Sequence, residues 1–153
     1  MRTLVDDVRA LVLLLELEGT VVANKLEGKY CEEENGKFKI KAIPRSTKYR
    51  LLKRLAEMGY LEQLQGVDKR YRYYKLSQLG IEYKQLILKR LLEKMQKFQG
   101  SSFLLGTLEV PLHQFQQLSC SYGIPPKLLL KLLKARVEQR LSNKVVVIGK
   151  SKF

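Results

Sequence analysis

Side chains able to hold phosphate and touch base edges are concentrated in one part of this chain. Arg45, Ser46, Thr47, Tyr49, Arg50, Lys53 and Arg54 are followed by Lys69, Arg70 and Arg72, with Tyr71 and Tyr73 interleaved. Guanidinium and ammonium groups neutralise phosphates, while hydroxyls and guanidinium forks also reach base edges. Residue sets for bond-breaking chemistry are missing from the sequence. It has no Gly-x-x-x-x-Gly-Lys-Ser/Thr phosphate loop, no paired-histidine zinc helix and no Gly-x-Ser-x-Gly elbow. His113 has no partner at recognisable spacing. Cys31 and Cys120 lack Cys-x-x-Cys spacing and nearby histidines, and read as free thiols. Glu32, Glu33 and Glu34 beside Asn35-Gly36 read as a solvated turn. The expectation is a protein that is not an enzyme and takes no cofactor or metal.

Local signals suggest how those cations are carried. Pro44 suits a first helical turn, where its missing N–H costs no hydrogen bond, and Gly59 supplies a C-terminal stop. The pattern predicts a helix from Pro44 to Met58. Leu51, Leu52, Leu55 and Met58 share one side, and Ser46, Arg50, Lys53, Arg54 and Glu57 the other. Leu61–Gln65 and Tyr71–Leu76 read as two strands joined by a basic turn at residues 66–70. Along the return strand, Arg70, Arg72 and Lys75 are read as one cationic face and Tyr71 and Tyr73 as the other.

Ile43-Pro44-Arg45-Ser46-Thr47, Leu51-Leu52-Lys53-Arg54-Leu55, Gly59-Tyr60-Leu61 and Leu76-Ser77-Gln78-Leu79-Gly80 together resemble winged helix-turn-helix regulators of the MarR and PadR kind, over about a third of the chain. The resemblance implies a helix in the DNA major groove, a hairpin tip along the backbone, and Ser46, Thr47, Tyr49 and Arg50 as groove-facing residues. Two features depart from that pattern. Lys48 falls on the inner side of the helix, so either its stem snorkels outward or the helix is rotated. The supporting helix is not in its usual place, because Tyr30–Lys41 carries the Asn-Gly of a hairpin turn. Either Thr20–Leu26 is that helix with a hairpin inserted after it, or the first helices are rearranged.

Charge is distributed in the same sense. The chain has 29 Lys+Arg against 15 Asp+Glu, a formal charge of +14. Residues 1–40 hold 6 basic and 8 acidic side chains, 41–100 hold 15 and 5, and 101–153 hold 8 and 2. The excess therefore begins at the basic helix, the footprint of a nucleic-acid binder. Val12–Leu15 is broken by Glu16 and Glu18, so no run is long enough to span a bilayer, and Asp6 and Asp7 stand where a signal peptide would be apolar. An intracellular protein with no membrane partner is expected. Thr3–Leu17 has helical spacing, with Leu4, Val8, Leu11, Val12 and Leu15 apolar. Ser77 opens a long helix to Phe98, in which Ile81, Leu88, Leu91, Leu92, Met95 and Phe98 form a coiled-coil-like stripe interrupted by Lys84. That stripe pairs two copies of the chain through residues 77–98, or packs on the chain's own C-terminal segment.

Gly100-Ser101-Ser102 reads as a linker, dividing the chain into 1–98 and a small basic domain over 99–153. In the latter, Phe103–Val110 reads as a strand, Leu112–Ser121 and Pro125–Leu141 as helices, and Lys144–Gly149 as a strand. Ile124-Pro125 and Leu132-Leu133-Lys134 align at one offset with Ile43-Pro44 and Leu51-Leu52-Lys53, so this domain is a degenerate second winged helix or a dimerisation module. Lys127, Lys131 and Lys134 form a stripe available for secondary phosphate contacts. The fold class expected is α+β, mostly helical, with an N-terminal winged helix-turn-helix, a β-hairpin wing and a long following helix. The function expected is sequence-specific binding of double-stranded DNA by a dimeric transcription regulator. The alternatives are a replication-initiation or plasmid-partition DNA binder with tandem winged helices, and a winged-helix protein-interaction module.

Overall fold

A computed structural model describes residues 7–65, 71–98 and 112–135, with the backbone alone at 95–98 and 112–114. The described residues form an α+β fold in which two small antiparallel sheets are set among helices. Helix α1, Val8–Glu16, begins at Asp7, whose carboxylate accepts the Arg9 backbone N–H at 2.9 Å. An aspartate suits this position because the first-turn N–H groups have no helical partner. The sequence suggested one apolar side for α1, yet Val12, Leu13, Leu14 and Leu15 are all fully buried. The reason is that α1 lies between two cores. Leu13, Leu14 and Leu17 pack with Ile43, Leu51, Leu52 and Leu55, whereas Leu15 packs with Leu88, Leu91, Leu92, Phe115, Ile124, Leu129 and Leu133. Only Val8 at its start is exposed, so the helix is covered on most of its circumference.

Strand β1 (Val21–Val22) leads into a 3-10 turn, Ala23–Lys25. Thr20–Leu26, considered above as the supporting helix, holds β1 and this 3-10 turn instead of an α-helix, because Val21 and Val22 pair with Tyr74 and Tyr73 of a later strand, and a hairpin does follow it. The inserted hairpin pairs β2 (Lys29–Glu34) with β3 (Lys37–Ala42). Asn35 and Gly36 turn it with φ of 54° and 78°. These are the two positive φ values of a tight hairpin turn, which Asn-Gly tolerates.

Helix α2, Arg45–Glu57, follows Pro44 and ends on Met58. Gly59, at φ 92°, donates to Ala56 O and Tyr60 donates to Leu55 O, so the last carbonyls of α2 are satisfied by a left-handed glycine cap. Strands β4 (Leu61–Gln65) and β5 (Arg72–Leu76) pair in register, Gln65 opposite Arg72 and Leu61 opposite Leu76. β1 adds to the other edge of β5, giving the order β1-β5-β4. Helix α3, Gln78–Phe98, opens at Ser77, whose hydroxyl accepts the Gly80 N–H at 3.1 Å.

Helix α4, Leu112–Ser121, closes as α2 does: Gly123 at φ 76° donates to Cys120 O, and Ile124 donates to Ser119 O. Residues 126–135 are helical and are labelled α5. The expected linker at 100–102, the strands at 103–110 and 144–149 and the part of the last helix beyond 135 lie outside the described residues, as do Thr3–Asp6 at the start of the first helix. The described parts of α4 and α5 pack on α1 and α3 through the second core. Leu88, Leu91 and Leu92, three residues of the stripe considered for dimer pairing, are therefore covered by the chain's own C-terminal helices. Leu79, Ile81 and Leu86 stay exposed. No helix among the described residues is long and apolar enough to cross a membrane.

Candidate nucleic-acid interface

Helix α2 is held against the body of the protein by its apolar side, with Leu51, Leu52 and Leu55 almost completely buried. Lys48 shares that side. Rather than snorkelling out, it is only 9% exposed, and its ammonium donates to Leu26 O at 2.9 Å. The bond satisfies both partners, which is the condition for burying a charged group at tolerable cost. It also ties α2 to the segment just after the 3-10 turn. A second strut acts on the same segment. The Glu16 carboxylate accepts the backbone N–H groups of Glu27 at 2.6 Å and Gly28 at 3.0 Å. An acid at a helix C-terminus opposes the helix dipole, and these two donors offset that penalty.

The outer flank of α2 faces β5 and the 3-10 turn across an open groove of about 530 Å³. From α2 come Arg45, Tyr49, Arg50 and Lys53, and from the hairpin Tyr71 and Arg72. Val22, Ala23 and Asn24 close the third side. Thus four cations, two phenol rings and one amide converge, and among the described residues no carboxylate lines the groove. Two cations elsewhere on the strands are matched differently: Lys41 lies 2.7 Å from both Glu32 and Glu34, and Lys75 lies 3.6 Å from Glu62. Inside the groove the Arg45 guanidinium sits 5.7 Å from the centre of the Tyr49 ring, a cation–π approach that orients it. Like charges gathered with no carboxylate among them repel one another, and the Asp7 carboxylate, which feels the Arg50 charge from outside the groove, offsets this only in part, so the arrangement favours an anionic occupant.

Of the residues singled out from sequence, Arg45, Tyr49, Arg50, Lys53 and Arg72 meet in this groove. Ser46 and Arg54 are exposed and Thr47 half-buried, but none of the three lines it. At about 100° per residue, Thr47 and Arg54 lie roughly 140–160° round α2 from Tyr49, which explains their exclusion. Lys69 and Arg70 lie outside the described residues. Lys75 does not share a face with Arg72. Three positions separate them, so strand alternation puts Lys75 on the side of Tyr73. The tyrosine of this strand that is fully buried is Tyr74, with no hydrogen-bond partner for its hydroxyl among the described residues. Asn24 escaped the sequence reading, because only the pairing of Val22 with Tyr73 brings the 3-10 turn beside α2.

Lys127, Lys131 and Lys134 are all exposed on α5. Lys127 and Lys131 line a separate groove with Lys25 and Lys29, but Glu16, Glu18 and Glu27 line it too. Its field is mixed, in contrast to the uniformly cationic groove on α2. Lys84, which interrupts the stripe of α3, has a structural task. Its ammonium donates to Leu17 O, at the end of α1, at 2.9 Å, and burial draws its pKa down while Glu18 partly restores it. Among the described residues, no three His, Cys, Asp or Glu side chains converge as a metal site. Comparison with protein-family models, with curated proteins and with solved structures yields no match.

Proposed function

We propose that this protein binds double-stranded DNA in a sequence-specific manner and regulates transcription inside the cell. In this reading residues 7–98 are a winged helix, α2 enters the major groove, and the β4–β5 hairpin lies along the backbone. The observation that carries it is the groove in which Arg45, Arg50, Lys53 and Arg72 converge with no described carboxylate among them. The element order supports the same reading. A core helix, a short edge strand, a basic helix on an apolar base, a hairpin and a long helix occur in succession, with the edge strand completing the hairpin's sheet. Arg50 and Tyr49 face bases, and Lys53 and Arg72 face phosphates. Pairing of two copies through residues 77–98 belongs to this proposal, and it falls to Leu79, Ile81 and Leu86, since Leu88, Leu91 and Leu92 are already buried.

One observation favours a second reading, replication initiation or plasmid partition with two DNA-binding units. Ile124-Pro125 opens α5 as Ile43-Pro44 opens α2: Leu129 N–H bonds to Pro125 O at 3.1 Å, and Lys48 N–H to Pro44 O at 2.8 Å. Fluorescence anisotropy on random duplex, with single-stranded DNA of equal length as competitor, separates the readings. Duplex preference with strong salt dependence supports the regulator, and preference for single or forked strands supports the replication reading. Absence of binding even at low salt points to a protein-docking module. On a selected operator, Arg50→Ala is expected to relax discrimination between sequences, and equal losses on every duplex would remove its base-reading role.

A further inference from the structure

Cys31 and Cys120 are the chain's only cysteines, 89 positions apart in sequence. The fold brings their sulfur atoms to 3.3 Å. Cys31 sits on β2, whose backbone N–H donates to Gly123 O at 2.9 Å, and Cys120 sits in the last turn of α4. The inserted hairpin and the α4 cap are therefore already hydrogen-bonded where the two thiols meet. Both cysteines also line a groove of about 810 Å³, together with Arg9, Tyr30, Phe38 and the acidic residues Asp7, Glu32 and Glu33. A reagent of a few residues' size fits there. Neither thiol is needed by the groove on α2, and neither lies in it.

We infer that Cys31 and Cys120 form a dithiol site that reacts with low-molecular-weight disulfides and closes into an intramolecular disulfide joining the β2–β3 hairpin to the C-terminal helices. Cys120, half-buried, is the attacking group. Its thiolate adds to one sulfur of the incoming disulfide, the S–S bond breaks, and one small thiolate leaves and takes up a proton. Cys31 then gives its proton to solvent, its sulfur attacks the Cys120 sulfur of the mixed disulfide, and the second small thiolate leaves. Two protein thiols are oxidised and the incoming disulfide is reduced to two thiols, a two-electron exchange. The order follows from surroundings. Burial, and then the Cys120 neighbour, push the Cys31 thiol up to about 12, so it keeps its proton until the mixed disulfide is adjacent. Closing the bond needs the sulfurs to approach from 3.3 Å to about 2 Å, within reach of small side-chain rotations.

The bond would cross-link β2 to the last turn of α4. A closed loop of this length restricts the unfolded chain strongly, and the melting temperature is expected to rise by about 10 °C on oxidation. The test uses the full chain and oxidised glutathione, with reduced glutathione as control. Intact mass spectrometry should show a loss of about 2 Da, two hydrogens, in a monomer. A proteolytic digest should contain one linked peptide pair carrying Cys31 and Cys120, with the rise in Tm reversed by dithiothreitol. A stable glutathione adduct without ring closure, an intermolecular dimer, or an unchanged mass would each overturn the inference. Cys120→Ser should abolish both the mass loss and the Tm rise. Because the digest reads the wild-type chain, the inference is tested even if that variant fails to fold.

Discussion

Arg72→Ala removes one of the four cations that line the groove between α2 and β5. If each cation neutralises one phosphate, together they contribute a slope of about −3.6 to log K against log salt concentration, at 0.9 per phosphate. The variant should show a slope shallower by about 0.9. At roughly 0.1 M salt that single contact corresponds to about an eightfold loss of affinity, or ~1.2 kcal/mol. Folding should be little affected, since the Arg72 side chain is exposed and its strand pairing with Gln65 is made by the backbone. The assay is anisotropy of a labelled random duplex between about 50 and 400 mM salt, where the slope is well defined. Lys75→Ala is the matched control: its ammonium lies 3.6 Å from the Glu62 carboxylate, on the other face of β5, and its removal should change the slope less. An Arg72→Ala protein that is folded and binds with the wild-type slope would refute the assignment of this groove to phosphate.

Three further outcomes are expected. Lys48→Met should lower stability by about 1–3 kcal/mol in urea denaturation, because it leaves the buried Leu26 carbonyl without its charged donor. A neutral result would mean that the strut carries nothing. Asp7→Ala should cost about 1 kcal/mol through loss of the helix cap. Burial raises the Asp7 pKa, but its hydrogen bonds to Arg9, with Arg9 and Arg50 charges nearby, outweigh this and leave it below the ordinary value. The ionised form therefore stabilises the fold above about pH 4, and the gap between wild type and variant should close as pH falls below that, followed by thermal melting. A gap that persists unchanged at low pH would contradict the cap's ionic character. Tyr74→Phe should leave stability unchanged or raise it by up to about 1 kcal/mol, since the hydroxyl it removes has no described partner; a marked loss would reveal a partner for that hydroxyl.

The local devices of this fold were legible in the sequence because each acts within a few residues. Pro44 opens α2, Gly59 closes it, Asn35-Gly36 turns the hairpin, and Ser77 caps α3, all through backbone conformations or hydrogen bonds between near neighbours. The cationic flank of α2 followed from the same periodicity, and with it most of the groove. What tertiary packing decided lies in contacts between distant parts of the chain. Lys48 and Lys84 look like interruptions of apolar stripes until Leu26 and Leu17 bring buried carbonyls to their ammonium groups. The leucines of α3 could have met a second copy, and the chain's own C-terminal helices reach them first. Asn24 joins the groove only through the pairing of β1 with β5, and Cys31 meets Cys120 only where β2 docks on the cap of α4. Periodicity and turn chemistry specify which face of an element is buried. Which other element covers that face depends on how two cores share α1, a relation between surfaces that no local pattern encodes.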